Sequence, residues 1–377
     1  MTRINRALLV ATLVAGTFVG LDAGAQSIDP NAPLKAYAEK VLPRCPDGNI
    51  VLEAQPGGAP AGFSLFTVTV RSSDQYCGTK KYLLYSPKSQ QVVIGSIIQL
   101  PKDNRPLATR VAAETSSRLG HAVSANIAPF PLPDGLKSVS IVRDTPFGPF
   151  AYLGFIDSAE RFLIVGFRGL LTNDPGKVLK EALGSSAGAR RGNASSKVEI
   201  LELSDFQCPT CANAHAKVEP FIQKNLSKIN YVRLDLPLFE HHEWAVQAAM
   251  GARALQKVAP AKYWSYVDYV FKNQEQIGAR KNFDAVLKEW LEDNDVSWDA
   301  INKIYSNKAE RTALLDQVSR AFAVGIASTP TFIVNGQIMG FGPEGQFTID
   351  AIKNAVNKAP TPAATSKKSS KSSKSSK

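Results

Sequence analysis

The sequence predicts two folded domains: an N-terminal α+β domain, and a C-terminal α/β domain whose strand–helix frame is interrupted by a long helical block. Three observations carry this. Residues 198–211 read as a buried strand running through a turn into a helix that opens with two cysteines spaced i, i+3. Residues 240–324 are dominated by helical patterning, after which the chain returns to strand over Thr331–Met339. Residues 27–184 instead carry short alternating segments separated by turn residues.

Taken in order, Arg3 and Arg6 precede an apolar run from Ala7 to Leu21, and Ala23-Gly24-Ala25 fits a small-residue cleavage site. Residues 1–25 are therefore expected to be a secretory signal, with an uncleaved N-terminal anchor as the second reading. The run is short for a spanning helix. Export, to the periplasm or otherwise, implies an oxidising compartment in which paired cysteines form disulfides.

Over residues 27–184 the patterning gives helices at Pro33–Leu42, Pro106–Leu119 and Pro175–Leu183. Strands are expected at Phe63–Arg71, Lys81–Tyr85, Val92–Ile97, Ser138–Arg143, Ala151–Phe155 and Arg161–Phe167. No catalytic constellation is visible there. Its two cysteines, Cys45 and Cys77, sit beside turn residues, and because Cys208 and Cys211 are adjacent by spacing, Cys45 and Cys77 are the natural partners. A structural disulfide closing that loop of about 30 residues would be worth about 3 kcal/mol on the chain-entropy account. The alternative is a second redox relay feeding Cys208. Residues 185–197 are small, polar and aperiodic, which reads as a flexible linker.

The cysteine pair is the chemical centre. At the first turn of a helix the backbone N–H groups are unpaired and the macrodipole is positive, so a thiolate is stabilised there. Cys208 is expected to be the low-pKa nucleophile and Cys211 the inner thiol, and Pro209 suits the first helical position. A zinc site is the rival on spacing, because Cys208, Cys211 and His215 share a helical face and His241 or His242 could complete it. Proline between ligands and an oxidising compartment argue against it, and no metal or other cofactor is expected. His215 reads as a solvated helix residue, and the His241-His242 pair has no evident chemical partner.

Downstream, Asn335-Gly336 is a strong hairpin signal after Thr331-Phe-Ile-Val. The order is strand, cysteine-bearing helix, strand, helical block (about 240–324), then Thr329-Pro330 into strand, hairpin and closing helix. It resembles the DsbA-like branch of the thioredoxin superfamily over about residues 198–358. Phe206-Gln-Cys-Pro-Thr-Cys211 and Gly325-Ile-Ala-Ser-Thr-Pro330-Thr-Phe-Ile-Val-Asn-Gly336 carry the resemblance. It implies a thioredoxin fold with an inserted helical domain and a cis Thr329-Pro330 bond beside the cysteines. The backbone of Thr329 would then pair with an extended substrate, and Pro209 and Thr210 would lie on the same surface. It also implies that Glu202, on the incoming strand, could be a buried carboxylate exchanging a proton with the inner thiol, although a solvent-facing glutamate is the competing reading.

The expected activity is thiol:disulfide exchange with reduced or misoxidised exported proteins, with reoxidation by a membrane redox partner. Thr210 stands where strongly oxidising members often carry histidine, so a potential between about −270 and −120 mV is expected. The N-terminal domain leaves a disulfide isomerase or reductase open, dimeric through residues 27–184, and so is a client-binding module of chaperone type. The chain carries a net charge of +11, and its last eleven residues hold five lysines among serines. Residues 359–377 are expected to be a disordered tail. Without aromatic–basic interleaving, nucleic acid is not an expected partner.

Overall fold

A computed structural model describes residues 31–73, 78–342 and 345–358. The expected signal at 1–25, the lysine tail at 359–377 and Cys77 lie outside the described residues. Among the described residues, no helix is long and apolar enough to cross a membrane.

The first domain is β-rich and has its own sheet. Helix α1 (Ala32–Val41) leads into β1 (Asn49–Ala54), β2 (Ser64–Arg71), β3 (Thr79–Ser86) and β4 (Gln91–Gln99). Helix α2 (Leu107–Leu119) leads into β5 (Ser124–Pro131), β6 (Lys137–Thr145), β7 (Gly148–Ile156) and β8 (Phe162–Leu170), and α3 (Pro175–Leu183) follows. The sheet order is β1-β2-β3-β4-β8-β7-β6-β5, with antiparallel pairing throughout. Thus two units of the same helix-plus-four-strand order meet edge to edge at β4 and β8. Their register is centred on Gly95 opposite Gly166. A Cβ on Gly95 would lie 2.1 Å from the Val165 carbonyl oxygen, and one on Gly166 would lie 2.2 Å from that of Ile94. Only glycine lets the two units approach this closely.

The second domain is a five-stranded mixed sheet in the order β13-β12-β10-β11-β9. Its elements are β9 (Ala189–Gly192), β10 (Glu199–Ser204), α4 (Pro209–Lys224), β11 (Asn230–Asp235), then α5 (Ala245–Val258), α6 (Tyr263–Lys272), α7 (Gln274–Arg280), α8 (Phe283–Asp293), α9 (Trp298–Tyr305) and α10 (Lys308–Ala323). Strands β12 (Thr331–Val334) and β13 (Gln337–Ile338) and helix α11 (Gln346–Lys358) end it. Strand β10 runs parallel to β11 and antiparallel to β12, which makes it the central strand. Both its faces are covered, so Leu201 and Leu203 face one core and Val198 and Ile200 another. The β12–β13 turn places Asn335 at φ 51° and Gly336 at φ 80°, the left-handed pair that two-residue hairpins favour.

Residues 185–197 are not a flexible linker. They hold a short 3-10 turn and then β9, which pairs antiparallel with β11 from Ala189↔Arg233 to Gly192↔Asn230. Ordering comes from this ladder and from Arg191, whose guanidinium lies 3.9 Å from the Trp264 ring centroid and 4.8 Å from that of Tyr231 while pairing with Glu219. A cation held by aromatic faces leaves no apolar periodicity to read.

The two sheets belong to different domains yet share a core. Phe150 and Phe167 of the first sheet and Leu179 of α3 join Leu203, Val318 and Ile333 of the second domain in one buried cluster. Beside it, the Arg44 N–H donates to Ile338 O at 2.9 Å and Gly340 N–H donates to Arg44 O at 2.8 Å. The stretch around the disulfide-bonded Cys45 is thereby stitched to the edge of the second sheet.

Candidate active site

Cys208 caps α4. Its φ and ψ are −71° and 119°, Pro209 occupies the first helical position, and the Cys208 carbonyl accepts from the N–H of Cys211 at 3.0 Å. This conformation sets the sulfur among the free amides of the first turn. Both cysteines are free thiols and both are buried, Cys208 at 7% exposure and Cys211 at 0%. Their environments push them apart. The Cys208 pKa is lowered to about 5, chiefly by the hydrogen bond from the Cys211 thiol, against the opposing effect of burial. The Thr329 side chain and the backbone amides of Cys211 and Thr210 add to the lowering. Burial pushes the Cys211 thiol well up, and the neighbouring Cys208 sulfur adds to that. One sulfur is therefore ionised at neutral pH while the other keeps its proton, the asymmetry that disulfide exchange uses.

The Thr329–Pro330 segment lies against this pair. Its peptide bond is cis, and the Cys208 Sγ sits 3.6 Å from the Thr329 carbonyl oxygen. Pro209, Thr210, Thr329 and Pro330 are thus gathered around Cys208. Ser328 and Thr331, on either side of the Thr329–Pro330 bond, line a cavity shared with Ile94, Val165 and Phe167 of the first domain's sheet.

Glu202 is buried at 2% exposure on β10. Its Oε2 accepts from the Tyr231 hydroxyl, while its Oε1 is buried without a partner. Among the described residues, no hydrogen bond joins it to either cysteine; Cys211 Sγ instead receives the Asp205 backbone N–H at 3.5 Å.

Several residues at the site were not legible from the sequence. Asp205 is fully buried in the loop before Cys208 and accepts from Gln207 N–H (2.7 Å), Leu238 N–H (2.7 Å) and His242 Nδ1 (2.8 Å). Gln274 of α7 donates to the carbonyls of Phe206 (2.7 Å) and Cys208 (3.0 Å), fixing the loop from the helical block. His215 is buried rather than solvated: its Nε2 is 2.7 Å from Asp268 Oδ1 and its ring is 4.9 Å from that of Phe271. The hidden partners, Asp268 and Phe271, lie on α6, more than fifty residues downstream, so spacing alone had nothing to offer.

Residues 185–358 match the family model described as Thioredoxin. Over 169 residues, 45% of this chain, the sequence is 27% identical to the Na(+)/H(+) antiporter NhaA 3 of Salinispora tropica, and the matched stretch spans 24% of that protein. Over 214 residues it is 23% identical to the probable disulfide bond formation protein D of Bacillus cereus, covering 55% of this chain and 94% of that one. Among solved structures, alpha-DsbA1 of Wolbachia pipientis aligns over 45% of this chain and 92% of its own at 19% identity and a TM-score of 0.39. BdbD from Bacillus subtilis aligns over 46% and 92%, at 18% identity and a TM-score of 0.37. With its central β10, its cysteine-headed α4 and its helical block returning to β12, the segment from 185 to 358 has a thioredoxin-like fold and is similar to the Thioredoxin family.

Proposed function

We propose that the chain is an exported thiol:disulfide oxidoreductase that exchanges disulfides with exported proteins through Cys208 and Cys211. The observation that carries this is the opposed ionisation of the two sulfurs: Cys208 lowered to about 5 at the start of α4, and Cys211 raised by burial beneath it.

In the oxidising direction the enzyme starts as the Cys208–Cys211 disulfide. A client thiolate attacks Cys208 Sγ, the bond between the two enzyme sulfurs breaks, and Cys211 leaves and takes up a proton. A second client thiolate then attacks the client sulfur of the mixed disulfide and expels Cys208, a good leaving group because its thiolate is stabilised. The client gains a disulfide and the enzyme becomes a dithiol, which a membrane redox partner would reoxidise. Glu202, buried on the strand beneath, is proposed as the proton donor and acceptor for Cys211. Cys45 and Cys77 are proposed as a structural pair outside this cycle, and Thr329 as the backbone to which an extended client adds. The export reading rests on the charged and apolar pattern of residues 1–25.

Oxidase activity is favoured over isomerase activity because the first domain shares its core with the second inside one chain, rather than standing off as the arm of a two-chain clamp. The test is the equilibrium constant of the Cys208–Cys211 couple with glutathione, alongside insulin reduction and refolding of scrambled ribonuclease. A couple as reducing as thioredoxin, at about −270 mV, would refute the oxidase. A Cys208→Ala variant with full biological activity would instead make the protein a client-binding module.

A further inference from the structure

The dipeptide between the cysteines, Pro209-Thr210, carries no charge, yet an ion pair stands directly beside them. Asp205 is wholly buried and uses both carboxylate oxygens: Oδ1 on Gln207 N–H, and Oδ2 on Leu238 N–H and His242 Nδ1. The backbone of the same residue touches both cysteines, because its N–H points at Cys211 Sγ at 3.5 Å and its carbonyl accepts from Cys208 N–H at 3.2 Å. A buried carboxylate needs a cation, and His242 provides it while remaining 18% exposed at the side chain.

We infer that the Asp205–His242 pair is a positioning device for the redox couple, in which an imidazolium supplied by the segment after β11 favours the thiolate of Cys208 over its disulfide. This inference rests on the redox reading above. Asp205 and Cys208 face His242 from the active-site loop, and each raises its pKa, Asp205 through the hydrogen bond and as the larger cause, against partial burial. Behind Asp205 lies Asp235, itself paired with the buried Arg233. On its own segment, Glu240 is turned to Arg143 and lies 3.9 Å from His121. Of the two groups that raise the pKa of His242, Asp205 is hydrogen-bonded to it, and the Cys208 sulfur, in the same active-site loop, carries its charge only until the disulfide forms.

In the reduced protein His242 faces two anions; in the disulfide form it faces only Asp205. Its pKa must then be higher in the reduced state, so reduction takes up extra proton within the pH interval between the two values. By linkage, the imidazolium stabilises the dithiol form and drives disulfide donation as long as it is charged. With Cys208 ionised above about pH 5 and His242 charged up to a value above the ordinary 6.5, both charges coexist through that interval.

The experiment uses the full mature chain. Imidazole titration by NMR, with the His242 resonance assigned by its loss in His242→Gln, should give a higher pKa in the reduced than in the oxidised protein. His242→Gln should raise the inflection of Cys208 alkylation by about one pH unit, roughly a tenfold loss of thiolate relative to thiol at a fixed acidic pH. The same variant should shift the glutathione equilibrium toward the enzyme disulfide. His242→Arg keeps a charge and should restore the alkylation inflection, without the pH-dependent step in the redox equilibrium. Equal imidazole titration in the two redox forms overturns the inference. So does a His242→Gln variant that melts earlier but keeps the wild-type inflection, since that is a merely structural histidine. If glutathione forms no Cys208–Cys211 disulfide at all, the redox reading falls and takes this inference with it. If the disulfide forms and His242 does not respond, only the inference falls.

Discussion

Ionisation of Cys208 can be followed directly, and its pH profile is a stricter test than its speed. With a pKa of about 5, Cys208 is half thiolate at pH 5, where an ordinary thiol with a pKa near 8.5 is about 0.03% ionised. The gain in thiolate is about 1,600-fold, but intrinsic nucleophilicity falls by about 40-fold over 3.5 units at a Brønsted slope of about 0.45. The net advantage over free cysteine at pH 5 is about 40-fold. At pH 7 the two effects nearly cancel, and at pH 8.5 Cys208 should be about 20-fold slower than free cysteine. Burial of the sulfur at 7% exposure slows every point by a common factor, so the shape is what counts. Iodoacetamide labelling of the reduced protein, with Cys208 read by mass spectrometry from pH 3 to 10, should reach a plateau by pH 6 and fall tenfold per unit below pH 5. A rate still climbing between pH 7 and 9 would refute the assignment of Cys208 as the stabilised thiolate.

Three further outcomes are expected. Because the Cys208 pKa is lowered by folding, its ionisation stabilises the reduced form fully above the ordinary thiol range, and that stability is lost as pH falls through about 5. The melting-temperature gap between reduced and oxidised protein should therefore shrink from pH 8 to pH 4, and a pH-independent gap would contradict it. Gln274→Ala leaves the carbonyls of Phe206 and Cys208 without their donor and should lower stability by about 1–3 kcal/mol in urea unfolding; unchanged stability would mean that water replaces the amide. Gly166→Ala forces a methyl within 2.2 Å of the Ile94 carbonyl oxygen and should cost about 1–3 kcal/mol by overpacking, whereas a neutral effect would mean that β4 and β8 can part.

The second domain was legible because its signals are local. Cys208-Pro-Thr-Cys211 sits at a strand–helix junction, and Asn335-Gly336 dictates its own turn. Helices α1, α2 and α3 and six strands of the first domain were legible by the same kind of patterning. Strand β5 was not, because Pro129 and Pro131 mark a turn by every local rule, and an edge strand tolerates them where a central one would not. Strand β1 was hidden because only Ile50 of its six residues is buried. Strand β9 was hidden because its order comes from Arg191 lying on two aromatic rings rather than from buried apolar side chains. At the site, spacing exposed the two sulfurs but not what tunes them. Asp205 looks like any turn aspartate until the segment around Leu238 and His242 folds onto it, over thirty residues later in the chain.

The glycine seam between β4 and β8 also bears on how the first domain relates to copies of itself. Split near residue 103, either half would be left with one bare strand, smooth at its midpoint and ready to recruit an identical neighbour about a two-fold axis. Joining both halves in tandem satisfies that edge internally, at a one-to-one ratio that no dilution can undo. It also frees the two flanks to diverge, so that the flank carrying β7 can be shaped to α10 of the second domain while its counterpart keeps another contour.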